Sequence, residues 1–407
     1  MTDPPLTRDS LLDAAEASRS AAPGPRRLRV LQMIGRLNDL GGAERFTLAL
    51  ATGLPPDRFD VWVCAPRGAS AGAARALARA GVPLVDLGRR GKLDAFRTAR
   101  LLGLLRRERF DVLHSHMFGS NLWATVLGRV AGVPVLIAHE HTWSYEGDRK
   151  RAWLDGHVIG PLTTRFVAVS DADAAKMVSV EGVAADKIIV IPTGYIPHPV
   201  EATVDLRTEL GLDPTTPLVG TVAIMRPQKA LEVLLSAHAR VRERIPHAHL
   251  VIAGDGPLRG ELERHAEQLG IADATHFLGF RKDGDAIIRS LDVAAMSSDF
   301  EGMPLFMFEC MANGTPLVAT AVGGLPEAIE NERTGLLVAP RRPDLLAAAI
   351  VSLLSDAALR ERMTASAATG LPRHGMEAIS ARFAELYDSL VGASPGRSGR
   401  RRPTRNR

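Results

Sequence analysis

A parallel α/β architecture built in two halves is predicted by three features of the sequence. Short apolar, β-rich runs alternate with helix-period segments from residue 28 to residue 391. One stretch, 193–217, is rich in proline and carries almost no strand pattern, so it reads as a boundary. The length, 407 residues, is enough for two full hydrophobic cores.

The first half is expected to hold strands near 28–34, 60–65, 83–87, 112–115, 134–138, 165–169 and 187–191. The second half repeats the pattern near 218–223, 248–253, 275–278, 293–297, 316–320 and 335–338. The expected organisation is a disordered segment over 1–27, a Rossmann-like domain over 28–200 and a second over 201–374. A helix over 375–391 is expected to pack back on the first domain, followed by a disordered basic tail over 392–407. Ligands of open parallel sheets sit at the carboxyl ends of strands where strand order reverses, so the cleft between two such domains is the default site.

Composition narrows the class. No apolar run approaches the length of a membrane span, and the first 25 residues lack the apolar core of a secretion signal. Cys64 and Cys310 lie in apolar contexts and read as small core residues, which suits a cytoplasmic protein. The net charge is +4, but the six arginines after Gly392 leave the rest of the chain at −2. The basic balance therefore belongs to the tail, and no specific nucleic-acid partner is expected. Residues 93–109 combine Arg97, Arg100, Arg106 and Arg107 with Leu101, Leu102, Leu104 and Leu105. Directly before the 112–115 strand, this segment reads first as a crossover helix packed on the sheet. Its alternative is peripheral contact with an anionic membrane at the inner face.

The chemistry-bearing residues fall at predicted strand ends. Glu301-Gly302-Met303-Pro304-Leu305-Phe306-Met307-Phe308-Glu309 sets two carboxylates eight positions apart around an apolar run. Pro304 suits a first helical turn and Gly314 a helix end, which places Glu309 about two turns into an apolar helix. A carboxylate there needs a partner. Glu301 is expected beside the amides of the helix start, where anions are favoured. Such a pair can grip hydroxyls of a sugar or ribose.

Gly41-Gly42-Ala43-Glu44 follows the first strand and opens a helix, so its amides can approach a phosphate or sugar; a plain tight turn is the equal alternative. His114, His116, His139 and His141 cluster at two strand ends. Without a third and fourth ligand at a recognisable spacing they read as hydrogen-bonding or acid–base groups, and no metal site is expected. Arg226 and Lys229 occupy the first loop of the second half, well placed for a diphosphate. Gly254-Asp255-Gly256-Pro257 has the wrong spacing for a dinucleotide fingerprint. Asp171-Ala172-Asp173 and Asp283-Gly284-Asp285 read as helix caps. Gly323-Gly324-Leu325-Pro326-Glu327 is expected at the same strand-end edge as Glu301.

Taken together these segments resemble the retaining GT-B glycosyltransferases, specifically glycosyltransferase family 4, across residues 29–390. The order of Gly41-Gly42, Asp111-Val112-Leu113-His114-Ser115-His116, Phe166-Val167-Ala168-Val169-Ser170, the two-glutamate motif and Gly323-Gly324 carries the likeness. The resemblance implies the GT-B fold, two Rossmann-like domains facing across a cleft. It implies a nucleotide-sugar donor held by the second domain and an acceptor held by the first. Glu309 would accept from the ribose hydroxyls and Glu301 would lie by the donor sugar. The backbone of Gly302, Met303, Pro304 and Leu305 would approach the sugar and diphosphate. Gly41, Gly42, Gly254 and Gly256 would complete the binding loops, with Arg226 and Lys229 on the diphosphate. His141 matches the catalytic-site histidine, with His116 as second choice. Two positions depart from the family pattern: Ile224 stands where an arginine is common, and Ala230 where a glycine is common.

The expected activity is retaining, metal-independent transfer of a hexose-type sugar from a UDP- or GDP-linked donor. The acceptor would be a glycan, a lipid-linked sugar or a small molecule, in cell-envelope or exopolysaccharide synthesis. No cofactor is expected beyond the nucleotide-sugar co-substrate. The rivals are a nucleotide-sugar epimerase of the same fold and a non-catalytic sugar-nucleotide-binding subunit.

Overall fold

The computed structural model describes residues 26–38, 41–89, 94–141, 148–196 and 204–393, and of residues 95, 96 and 98 the backbone alone. Of the terminal segments expected to be disordered, 1–27 and 392–407, residues 1–25 and 394–407 lie outside the described residues, while Gly392 ends the last helix.

Seven strands make the first sheet: β1 (Leu28–Ile34), β2 (Phe59–Cys64), β3 (Leu84–Val85), β4 (Val112–His116), β5 (Val135–His139), β6 (Arg165–Ala168) and β7 (Ile188–Val190). Six make the second: β8 (Leu218–Val222), β9 (His249–Ala253), β10 (Thr275–Gly279), β11 (Val293–Met296), β12 (Leu317–Thr320) and β13 (Leu336–Val338). The orders are β3-β2-β1-β4-β5-β6-β7 and β10-β9-β8-β11-β12-β13. Each strand pairs in parallel with its neighbours. Parallel strands covered on both faces read as continuous apolar runs, which is why each was visible in the sequence. The largest difference is β3, expected over 83–87 and reduced to two half-buried residues at the sheet edge.

Strand order reverses between β1 and β4 in the first sheet and between β8 and β11 in the second. The loops after these four strands therefore frame the crevices in which α/β proteins bind ligands.

Four helices bear on that region: α1 (Gly42–Gly53), α2 (Ala95–Glu108), α3 (Leu305–Asn313) and α4 (Met376–Gly392). α2 buries Leu101, Leu104 and Leu105 against Met33 and Leu113 and turns Arg106 and Arg107 outward. That is the packing a crossover helix requires. α4 places Met376, Ile379, Phe383 and Tyr387 in the same core as Val30, Phe46 and Leu50, so the end of the described chain stabilises the first sheet.

α3 starts one residue after Pro304, which sits at the cap, and stops at Gly314 with φ +67°. Only a residue without Cβ adopts that left-handed conformation cheaply. Glu309 is the fifth of nine helical residues, about one turn in and not two. The aspartate pairs also differ from expectation. Ser170, not Asp171, caps its helix by accepting from the Asp173 amide at 3.0 Å. Asp283 stands at the cap position, but its carboxylate pairs with Arg281 at 2.6 Å. A guanidinium within reach outcompetes a helix amide for a carboxylate.

Candidate active site

The loop after β8 and the loop after β11 are stitched into one surface. Lys229 Nζ donates to Glu301 Oε1 at 2.6 Å, and the Ser298 hydroxyl donates to the same oxygen at 2.6 Å. The Gln228 amide donates to Glu301 Oε2 at 3.3 Å and to the Phe300 carbonyl at 3.1 Å. Two further bonds hold the loops together: Ser297 Oγ to the Lys229 carbonyl and the Asp299 amide to the Gln228 carbonyl. Glu301 is only 5% exposed, and a carboxylate so buried needs such partners. Its carboxylate thus turns to Lys229, Ser298 and Gln228, where the sequence placed it by the amides at the start of α3.

Glu309 is buried as expected, and its partner comes from the other half of the chain. Arg45, in the first turn of α1, reaches Glu309 Oε1 at 2.8 Å. Tyr195 lies within electrostatic reach of both; burial first, then the Asp285 and Glu309 carboxylates, push its phenol above the ordinary range. Arg45, Tyr195, Gln228 and Ser298 were missed in the sequence. Only Arg45 left a signal, as the cation directly after the Gly41-Gly42-Ala43-Glu44 motif.

The two halves meet backbone to backbone. A Cβ on Gly302 would lie 2.3 Å from the His141 carbonyl, and one on Gly42 would lie 3.8 Å from Leu305 Cδ1. Gly323, at φ +53°, presses so closely on Glu301 that a Cβ would fall 1.7 Å from its carbonyl oxygen. No larger residue fits at Gly302 or Gly323 without moving the loop. Glu327 from the second half accepts from the amides of Asp171 and Ala172, at 3.0 and 2.9 Å, capping a helix of the first.

The structure thus gathers Gly42, His141, Lys229, Glu301, Gly302, Leu305 and Glu309 at the mutual edge of the two sheets, with Gly41 capping α1. His141 is half-buried, packed by Phe46 and stacked on His139; desolvation pushes its imidazole down to about 3, so it is neutral near pH 7. Its Nε2 lies 3.0 Å from His116 Nδ1. Met303 is turned into the core beneath the loop. Gly254, at φ +131°, and Gly256 are pressed against the backbone of Ala223 and Met225, so both shape the loop that carries Lys229. Arg226 is exposed and makes no side-chain bond or ion pair among the described residues.

The spacing along the chain offered no recognisable ligand set among the four histidines, but β4 and β5 are neighbours and His116 pairs with His139 in register. His114, His116 and His139 therefore form one buried group.

A family model described as Glycosyltransferase Family 4 matches residues 40–197, and one described as Glycosyl transferases group 1 matches residues 204–369. D-inositol 3-phosphate glycosyltransferase of Corynebacterium glutamicum (strain R) is 30% identical over 328 residues, 74% of this chain and 77% of that protein. The chain belongs to glycosyltransferase family 4. A UDP-Gal:alpha-D-GlcNAc-diphosphoundecaprenol alpha-1,3-galactosyltransferase of Escherichia coli is 27% identical over 272 residues, 64% of this chain and 70% of that one. Among solved structures, HepE of Anabaena in complex with UDP-glucose superposes with a TM-score of 0.78 at 21% identity, covering 89% of this chain and 100% of that one. The fold is GT-B, and the protein is a glycosyltransferase.

The Arg45–Glu309 pair links the two domains, and removing Arg45 takes the cation from the buried Glu309 carboxylate. Arg45→Ala is expected to cost about 1–3 kcal/mol in denaturant unfolding. The Arg45→Ala, Glu309→Ala double variant should recover part of that loss. Strict additivity in this cycle would show that the pair contributes no coupling.

Proposed function

We propose that this family 4 glycosyltransferase moves a hexose-type sugar from a UDP- or GDP-linked donor with retention of anomeric configuration. The observation that carries the reading is the buried Lys229–Glu301 pair beside Glu309 at the strand-end edge of the second sheet. A cation held there suits a diphosphate leaving group, and a carboxylate held there suits vicinal ribose hydroxyls. In this reading the ribose displaces Arg45 from Glu309, hydroxyl donors taking the place of guanidinium N–H groups. His141, kept neutral by burial, meets the donor sugar from the first domain. Among the described residues no carboxylate stands as a covalent nucleophile, so the acceptor attacks from the leaving-group face and the departing phosphate takes its proton. The protein supplies position, charge stabilisation and a dry cleft.

The acceptor is a glycan, a lipid-linked sugar or a small alcohol, in cell-envelope or exopolysaccharide synthesis. The names of the Corynebacterium and Escherichia coli relatives, an inositol phosphate and a diphosphoundecaprenol sugar, support the last two classes. HepE supports UDP-glucose as the first donor to try. A donor screen scored by nucleotide release, with and without each acceptor class, tests this reading. The anomeric coupling constant of the product tests retention.

Glu309→Ala is expected to weaken nucleotide binding and nearly abolish transfer, with Glu309→Gln retaining part of both. Calorimetry with UDP and GDP reads the first; unchanged affinity in the alanine variant would remove Glu309 from the site.

Lys229→Ala should lower turnover by roughly tenfold to a thousandfold, the range for one charged stabiliser of a leaving group. If Arg226 shares that role, the double variant falls little below the worse single one. Full additivity would mean that Arg226 acts independently of Lys229.

Transfer is proposed to need no divalent ion at the diphosphate, because Lys229 supplies that charge. Added Mg²⁺ or Mn²⁺, or a brief exposure to EDTA, should change turnover by no more than about twofold. Loss with EDTA that Mg²⁺ or Mn²⁺ reverses would overturn this.

Contact with membrane lipid is proposed as weak and electrostatic, through the outward arginines of α2. A chain ending at Gly392 should float with anionic vesicles at low salt and release them as salt rises. Failure to float at low salt would leave the basic tail as the only basis for membrane contact.

A further inference from the structure

The first sheet carries a polar cluster that the proposed transfer does not use. His114 and His116 alternate on β4, His139 lies opposite His116 on β5, and Gln32 lies opposite His114 on β1. The two-residue period of a strand puts these side chains on one face. Phe46 of α1 and Phe383 and Tyr387 of α4 cover them, with Phe46 5.3 Å and Phe383 5.7 Å from His139, centroid to centroid. All three imidazoles are fully buried.

Their nitrogens divide into two sets. One set is held from outside the cluster. His114 Nδ1 lies 2.7 Å from the Tyr387 hydroxyl, and His116 Nε2 lies 2.7 Å from Gln32 Oε1. The Gln32 amide in turn donates to Tyr387 at 2.9 Å. The other set faces inward. His114 Nε2 and both nitrogens of His139 have no protein hydrogen-bond partner. One ring nitrogen of each histidine lies within 4.8 Å of the others. Orphaned polar atoms in so dry a setting are costly, and each asks for a partner. His114 and His116 each have one nitrogen oriented by an outer group, as metal-ligating histidines do, while His139 is held by packing alone.

We propose that His114, His116 and His139 bind one divalent transition-metal ion of the zinc type. The donors are His114 Nε2, His116 Nδ1 and one nitrogen of His139, and the fourth position faces His141 Nε2, 3.0 Å from His116 Nδ1. An imidazole set without carboxylate or carbonyl oxygen selects zinc, cobalt, nickel or copper over magnesium, calcium or manganese. Burial holds all three imidazoles well below their ordinary pKa, so near pH 7 they are in the neutral form that ligates. A tetrahedral ion with bonds of about 2.0–2.1 Å needs its donors about 3.3 Å apart, so the three rings close in by roughly an ångström on binding. The ion would tie the ends of β4 and β5 to each other and, through Tyr387, to α4. It lies in the first domain, on residues other than Lys229, and takes no part in neutralising the diphosphate.

The test uses the untagged full-length protein, purified without chelator from zinc-supplemented cells. Mass spectrometry of metals should find about one zinc per chain, the complement of a single site. His139→Gln should lower this to near zero while the far-ultraviolet dichroism stays native. Protein stripped with a pyridine dicarboxylate and refilled with Co²⁺ should show the visible bands of a tetrahedral nitrogen-ligated ion, absent from the variant. If His139→Gln does not fold, His114→Gln and the cobalt spectrum of the unmodified chain decide the matter. Less than about a tenth of a metal per chain together with no cobalt spectrum would overturn the proposal and assign the inward nitrogens to water. Full zinc content in a folded His139→Gln protein would overturn the ligand set. None of these readouts depends on transferase activity.

Discussion

A carboxylate taken out of water must be met by a cation or a set of donors, and the cleft of this protein is organised by that demand. Glu301 and Glu309 sit at the two ends of one apolar segment, and neither is more than 8% exposed. Glu301 is met from within its own domain by Lys229, Ser298 and Gln228, which fixes the loop after β8 against the loop after β11. Glu309 is met from the opposite domain by Arg45, which fixes the start of α1 against α3. One glutamate thus builds the floor of the site and the other sets the distance across it. Breaking a buried pair outright is expensive, whereas exchanging one set of donors for another is not. In the proposed reading, a ribose that presents two hydroxyls to Glu309 enters by exchange, which would give the cross-cleft pair a part in binding as well as in stability.

The close packing at the cleft depends on positions without side chains. Between the halves the His141 carbonyl rests on Gly302, and within the second half the Glu301 backbone rests on Gly323, only because no Cβ intervenes. Gly254 and Gly256 do the same beneath the loop that carries Lys229. The glycines that sequence reasoning assigned to ligand contact therefore have a prior duty in packing. Gly42 differs, being exposed with only Leu305 near, so it retains room for a sugar or phosphate.

Much of this was legible. Strands buried on both faces announce themselves as short apolar runs, so thirteen appeared in order and only the edge strand β3 shrank appreciably. Glu309 was legible as a buried acid because its helical neighbours are apolar. Its partner was not, since an ion pair between domains leaves no spacing in the sequence. The histidine group was hidden for a related reason: His114 and His139 are far apart along the chain but adjacent through the register of β4 and β5. The expected aspartate caps failed where Arg281 and Ser170 offered better geometry.

The two departures from the family pattern act on one side chain. Ala230 adopts φ +45° between the turn at Pro227–Lys229 and the next helix, a conformation costing an L-residue about 1–2 kcal/mol. Its methyl group is fully buried, and that packing offsets the backbone strain a glycine would avoid. The left-handed residue reverses the chain directly after Lys229, which leaves the ammonium directed at Glu301. Ile224, in place of the common arginine, is only partly buried, and the one other cation of the loop, Arg226, is exposed. In the proposed reading, the charge that would face a diphosphate is therefore concentrated in Lys229, whose position rests on a strained neighbour and a buried glutamate. Such a residue is held before substrate arrives, and preorganised charge is what stabilises a leaving group without reorganisation during reaction.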